Sequence, residues 1–390
     1  MKGMKTLRSG RNRRKGIYVL LLMGLLGLSG CGSPSSASVE MSSQTELVKT
    51  GSMELQYAEN FAVDYYEDGY KMLTTLPDSK RYLLVPEGQP VPRGLDEDVS
   101  ILQEPLQNIY LVASGVMDMF ASLDAVDQIR FSGQKQENWY IQTAKDAMAA
   151  GDMIYAGKYS KPDYELLVSE GCDLAIENRM ITHSPEVVEM LQSFDIPVMI
   201  EYSSYEQHPL GKVEWVKFFG ALTGKEAEAE EAFAEQTEIL EKVESGEKTG
   251  KTIAFFYVTS NGLIQVRQST DYIPKLIELA GGRYIFEDLE DSGSGRSTLN
   301  MQVEDFYAGA KDADILIYNS SIDGGVTTLD ELIGKCNILK DFKALQEGQV
   351  YCTTNDMYQQ SMAIGYLLQD MHTVLTDDDT AKLRYLFLLQ

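Results

Sequence analysis

Histidine and cysteine are scarce in this chain, which has three of one and four of the other in 390 residues. His183, His208 and His372 are too few and too scattered for a histidine-rich zinc site. Setting Cys31 aside, Cys172, Cys336 and Cys352 are odd in number and cannot complete a disulfide framework. A Cys336–Cys352 bridge and a set of buried thiols both stay open, the thiols being the simpler reading. Enzyme signatures are missing as well: there is no G-x-S-x-G elbow, no G-x-x-x-x-G-K-[ST] loop, no G-x-G-x-x-G after a strand, no H-E-x-x-H and no C-x-x-C. Carboxylates are too numerous for one pair to stand out as acid and base. No catalytic residue, metal ligand or cofactor is assigned, and the chain reads as a non-enzyme.

Positive charge is the next shortage. Thirty-four Lys and Arg face 59 Asp and Glu, for a net charge of −25, while 44% of residues are hydrophobic. This composition excludes a collagen, a disordered acidic tail and a polytopic membrane protein. Residues 1–30 carry seven bases and no acid, so without them the net charge moves from −25 to −32. A body that acidic repels nucleic-acid phosphates and anionic lipid headgroups, which excludes both as its main partner.

Only one long apolar run exists, Ile17 to Leu28, and it follows the basic stretch. A positive region, an apolar run too short to span a bilayer comfortably and then small residues make a secretory signal over 1–30. The run ends in Leu28-Ser29-Gly30-Cys31, which resembles the bacterial lipobox. The resemblance implies cleavage before Cys31 and a lipid anchor on its sulfur. Two acyl chains hold stably where one is marginal, so the expected location is the extracytoplasmic face of the cell membrane. Residues 31–52, rich in Ser with Gly and Pro, read as a flexible linker with a reach on the order of 25 Å.

The remainder reads as two α/β lobes. A β-rich, antiparallel lead-in over 53–100 opens the first lobe, 53–209, with Leu55–Tyr57, Phe61–Val63 and Arg81–Val85 as strands. Ile109–Ala113, Leu174–Ile176 and Val198–Ile200 are short apolar runs of the kind that form buried parallel strands, alternating with helices at 115–123, 163–170 and 184–194. Residues 210–247 form one long interlobe helix, bent at Gly224, because Trp215, Phe218, Phe219 and Leu222 recur at helical spacing and strong helix formers follow. The second lobe, 248–390, takes strands at 253–257, 315–318 and 350–352, helices at 272–280, 302–310, 329–334 and 358–376, and an apolar end that docks on a lobe.

Three segments resemble a known family, the substrate-binding proteins of ATP-binding-cassette importers for iron complexes and cobalamin. Asp163-Tyr164-Glu165-Leu166-Leu167-Val168, followed by Gly171-Cys172-Asp173-Leu174-Ala175-Ile176, is similar to that family's short helix opening on a glutamate before a Pro-Asp-Leu-Val-Ile run, with Cys172 in the proline's place. Val303-Glu304-Asp305-Phe306 leading to Ala313-Asp314-Ile315-Leu316-Ile317 repeats the pattern. His208-Pro209-Leu210-Gly211 with Glu214-Trp215 resembles the start of the family's interlobe helix. The resemblance implies the class III periplasmic-binding fold, in which two parallel-sheet βα lobes are joined by one long helix. It also implies permease docking through Glu165 on one lobe and Glu304, or Asp305, on the other. The alternative for both is a solvated carboxylate near a helix N-terminus.

Ligands of such folds lie at the carboxyl ends of the strands. The candidates there are Ser114, Trp139, Asn178, Arg179, Met180 and Tyr202 on the first lobe, and Ser260, Asn261, Arg267, Arg296, Asn319, Asp356 and Tyr358 on the second. Aromatic faces suit a bulky organic body and cations suit anionic edges. The expected activity is capture of an iron complex, siderophore or haem, or of a cobamide, and its delivery to an ABC permease with its ATPase. A free-metal-ion receptor and a tethered enzyme using cleft carboxylates are the alternatives.

Overall fold

The computed structural model describes residues 47–289, 297–320, 322, 325–377 and 382–390. The signal, Cys31, most of the linker and Arg296 therefore lie outside the described residues. Among those described, no helix is long and apolar enough to cross a membrane.

The first sheet has five strands in sequence order: β1 (Lys49–Ser52), β2 (Phe61–Tyr66), β3 (Lys71–Thr75), β4 (Lys80–Val85) and β5 (Val99–Gln103). Two details differ from the sequence reading. Lys49–Ser52, expected as linker, pair antiparallel with β2, and β5 runs parallel to β4, so the lead-in is not wholly antiparallel. Leu55–Tyr57 form no strand, because the amides of Gln56 and Tyr57 are taken by a buried side chain described below. In β2 the alternation works as expected, Phe61 and Val63 pointing into the core.

The first lobe is a parallel sheet of β6 (Ile109–Leu111), β7 (Ile129–Ser132), β8 (Ile154–Tyr155), β11 (Leu174–Asn178) and β12 (Val198–Glu201), in the order β12-β11-β6-β7-β8. A small hairpin of β9 (Gly157–Lys158) and β10 (Lys161–Pro162) follows β8. Its helices are α1 (Val116–Ser122), α2 (Gln142–Ala150), α3 (Tyr164–Ser169) and α4 (Pro185–Ser193), the last with proline in its first turn.

The expected helix over 210–247 is two helices, α5 (Pro209–Thr223) and α6 (Glu226–Glu244). Gly224 adopts φ +71° and ends α5, with the Lys225 amide bonded to the Gly220 carbonyl at 2.8 Å. The helices then pack side by side and antiparallel: Lys217 of α5 reaches Glu230 of α6 at 2.9 Å and lies 4.5 Å from the Phe233 ring. A Cβ on Gly220 would sit 2.6 Å from the Ala229 Cβ, so only glycine allows this approach. Every residue of α5 but the last is buried, whereas α6 buries one face through Ala229, Phe233, Gln236, Leu240 and Val243.

The second lobe contains β13 (Thr252–Val258), β14 (Ile264–Arg267), β15 (Arg283–Tyr284), β16 (Thr298–Met301), β17 (Ile315–Tyr318), β18 (Val350–Thr353) and β19 (Leu386–Leu388). Its order is β16-β14-β13-β17-β18-β19, with β15 also on β13; β13, β15, β17 and β18 are parallel. Helices α7 (Tyr272–Leu279), α8 (Val303–Ala310), α9 (Leu329–Lys335), α10 (Lys343–Gln346) and α11 (Ile364–Thr376) cover it. The C-terminal segment docks as expected: Asp370 accepts the amides of Arg384, Tyr385 and Leu386 at 2.8, 2.6 and 3.1 Å, beside β19. Cys172, Cys336 and Cys352 stand as thiols, with no disulfide.

The repeated motif has a structural meaning in both lobes. Asp173, before β11, accepts the Asn108 amide at 2.8 Å, just ahead of β6. Asp314, before β17, accepts the Thr252 amide at 2.7 Å, at the head of β13. Each aspartate ties together the amino ends of two neighbouring parallel strands. One apolar cluster runs from the five-stranded sheet through α1, α5 and α6 into Ile253, Phe255 and Ile273 of the second lobe, so the lobes share a continuous core.

Candidate functional site

Strands β6, β11 and β12 all end at one edge of the first lobe, and the turns beyond them make a concave wall. Ala113–Gly115, Asn178–Met180 and Glu201 with Tyr205 line a cavity of about 220 Å³, closed by Lys212 of α5 and by Tyr358 of the second lobe. Asn178 shapes its own turn, its Oδ1 accepting the Met180 amide at 2.8 Å. The Arg179 guanidinium lies 4.5 Å from the Tyr205 ring centroid.

The second lobe contributes a convergent group. Arg267, at the end of β14, is held by backbone bonds in both directions: its amide donates to Tyr284 Oη at 3.0 Å, and that hydroxyl donates to its carbonyl at 2.8 Å. The guanidinium contacts Asp271 Oδ2 at 3.3 Å and donates to the Tyr358 hydroxyl. Asn319 Nδ2 donates to the same hydroxyl at 2.6 Å. Burial pushes the Asp271 carboxyl upward, opposed by Arg267. Arg267, Asn319 and Tyr358, chosen from sequence, thus meet at one hydroxyl, and Tyr358 carries that cluster to the cavity.

Two candidates fall elsewhere. Trp139 is 1% exposed and spends its indole N–H on Ser132 Oγ at 3.0 Å, so it is a packing residue of the core and not of the cleft wall. Tyr202 is likewise buried in the core, its ring 6.4 Å from that of Tyr205, which takes the lining position instead. Both were picked for aromatic character, and aromatic character marks a core as readily as a binding wall. Glu165 and Glu304 are exposed in the first turns of α3 and α8. β16 runs in the same sense as β13 through two antiparallel pairings, so α8 begins at the carboxyl edge of its lobe.

Sequence reasoning missed four side chains. Lys212 is 4% exposed on a helix buried on every side, where Glu214 and Lys217 are buried charges as well. Gln359 bridges the lobes: its Oε1 accepts the Tyr140 amide and its Nε2 donates to the Asn138 carbonyl, each at 2.8 Å. Asp118 makes a second bridge by accepting the Met362 amide at 2.7 Å, and burial pushes its carboxyl up to about 6. Beneath the Asn178 turn, Glu177 is fully buried with neither oxygen hydrogen-bonded, and burial pushes it up to about 8. Among the described residues no three His, Cys, Asp or Glu side chains converge as metal ligands.

No known family's sequence profile matches the chain. It is 24% identical over 396 residues to an uncharacterized lipoprotein of Methanocaldococcus jannaschii, covering 92% of each chain, and 23% identical to a second from the same organism, covering 88% of this chain and 89% of that one. Solved structures share its shape at lower identity. A possible iron-binding periplasmic solute-binding protein of Staphylococcus epidermidis aligns with TM-score 0.54 and 17% identity, over 69% of this chain and 98% of its own. The periplasmic heme-binding protein HutB of Vibrio cholerae gives 0.55 and 14%, over 68% and 98%. The catecholate-siderophore-binding protein VctP of the same organism gives 0.53 and 11%, over 71% and 95%. The chain has the two-lobed α/β fold of periplasmic solute-binding proteins.

Proposed function

We propose that this protein is the extracytoplasmic receptor of an ABC importer, tethered through Cys31, which captures a metal chelate between its lobes and delivers it to the permease. An iron complex, siderophore or heme, is the first ligand class and a cobamide the second. The observation that carries the reading is the interlobe cavity, built from the carboxyl ends of first-lobe strands and closed by Tyr358 of the second lobe. Pockets for organic ligands run to roughly 300–1,000 Å³, so at about 220 Å³ the cavity admits a chelate only when the loop carrying Tyr358 and Gln359 moves away. The solved neighbours include iron-, heme- and siderophore-binding proteins, which supports the same class.

The test is native mass spectrometry of residues 32–390 with ferric siderophores, heme, cobamides and free metal ions. Stoichiometric retention of an intact chelate supports capture; retention of bare metal alone, or chemical change of the ligand on release, refutes it. Glu165 and Glu304 are proposed as the permease contacts, exposed on one helix tip of each lobe. Reversing both to Lys abolishes uptake and leaves ligand affinity unchanged, and a loss of affinity in the double variant would contradict the assignment.

A further inference from the structure

Among the described residues, Lys212 is a buried cation of the cleft with no carboxylate paired to it. Lysine is almost never this buried unless it is paired, and an ion left in a low-dielectric site without a partner is costly. Yet among the described residues no carboxylate lies within ion-pair distance of its ammonium and no acceptor bonds it. Its contact is the face of Tyr272, with the ring centroid 4.7 Å away. The acids whose charge it senses are Asp118, Glu201 and Asp271. Each is committed elsewhere: Asp118 to the Met362 amide, Asp271 to Arg267 and the Ile273 amide, and Glu201 to the amide and hydroxyl of Ser203 at 2.8 and 2.5 Å. Glu201 also lines the cavity, and burial raises its pKa, which weakens its claim on the ammonium. Lys212 lines the cavity together with Arg179 and Tyr358.

We propose that Lys212 is the seat of an anionic oxygen of the captured ligand, a carboxylate, catecholate or phosphate group, so that the receptor selects anionic chelates over neutral ones. The proposal rests on the capture reading. An ammonium fixed by α5 and backed by an aromatic face offers its donors in one direction, where a charge-assisted bond to an oxyanion is strong and water is largely excluded. The ligand's charge then completes a pairing that the fold leaves open. In a body of −32 this is also what lets an anion remain in the cleft against the surrounding field.

The experiment titrates residues 32–390 by calorimetry with a trianionic ferric tricatecholate, ferric citrate, a neutral ferric trihydroxamate and iron-free citrate. Lys212→Met and Lys212→Arg are run beside the wild type, after thermal melts establish that each is folded. The expected result is preference for the anionic complexes, a loss of about 10- to 100-fold in their affinity in K212M, near-retention in K212R, and no change for the neutral complex. If K212M binds anionic chelates as tightly as the wild type, or the wild type prefers the neutral complex, the seat is overturned while capture stands. If no ferric complex binds, capture falls and iron-free citrate decides the seat. Thermal stabilisation by citrate that disappears in K212M keeps it; no stabilisation overturns it.

Discussion

Replacing Glu214 by alanine tests how the lead-in sheet is fixed to the body. Glu214 lies on α5 with no exposure, and its carboxylate accepts the amides of Gln56 at 2.9 Å, Tyr57 at 2.8 Å and Ala58 at 2.9 Å. Nearby, Glu206 accepts the amides of Glu59 and Asn60 and the Trp215 indole N–H. Together the two glutamates absorb the donors of a segment whose apolar residues look like a strand. In E214A three amides lose a charged acceptor. At a net ~1–1.5 kcal/mol each, the loss is about 3–5 kcal/mol, the range found when one member of a buried charged network is removed. For a body this size the melting temperature then drops by about 4–7 °C. Hydrogen exchange gives the sharper reading: amides 56–58 lose protection in E214A, and those of β2 and β3 follow. Glu230→Ala is the control, because Glu230 pairs with Lys217 from a 61% exposed position, and exposed pairs contribute at most about 1 kcal/mol. If E214A lies within 1 kcal/mol of the wild type in urea unfolding with amides 56–58 still protected, the reasoning about this clamp is wrong.

Other predictions follow from the buried acid and the cross-lobe bonds. Burial pushes Glu177 from 4.5 to about 8, so between those values the folded protein keeps a proton that the unfolded chain has released. Stability therefore falls as pH rises through that window, by on the order of 3–5 kcal/mol, and Glu177→Gln removes the slope. Parallel urea-unfolding curves against pH for the two proteins would contradict this. Gln359→Ala removes both bonds to Asn138 and Tyr140, so exchange at amide 140 quickens and association with the ligand speeds up, as read by stopped-flow fluorescence. An unchanged association rate would show that this loop does not gate the cleft.

The parallel strands were legible because each is a short apolar run between polar turns: the expected 315–318 is β17 itself, and 174–176 and 350–352 fall inside β11 and β18. β7 was not, since Ile129-Arg130-Phe131-Ser132 places a charge in mid-run, and Arg130 leaves the sheet to bond Glu170 and two backbone carbonyls. The composition predicts a helix from Tyr358, but α11 begins at Ile364, and residues 358–363 form a turn and a short 3₁₀ segment that reach across the cleft. Their helical composition says nothing of a partner more than 200 positions away. The site divides the same way. Arg267, Asn319 and Tyr358, expected as ligand contacts for their chemistry, converge on one hydroxyl. Lys212 was passed over because a lysine in a helix is ordinarily a surface residue, and only the burial of the whole α5 circumference makes it otherwise.

The turn at Gly224 bears on how this protein can move. A continuous helix over 210–247 would run about 55 Å at 1.5 Å per residue, a lever on which two lobes could swing apart. Folding that length back on itself removes the lever arm and sets the second lobe beside the end of the first, fused through one core. The loop from Thr354 to Ala363 reaches the first lobe through three hydrogen bonds and through Met357 and Met362, which join the shared core. On the proposed capture reading, displacement of this loop would set the largest cargo, and the span between the tips of α3 and α8 would stay nearly constant from empty to loaded. A partner resting on those tips would find the same footprint in both states, leaving the loop's position as the signal of cargo.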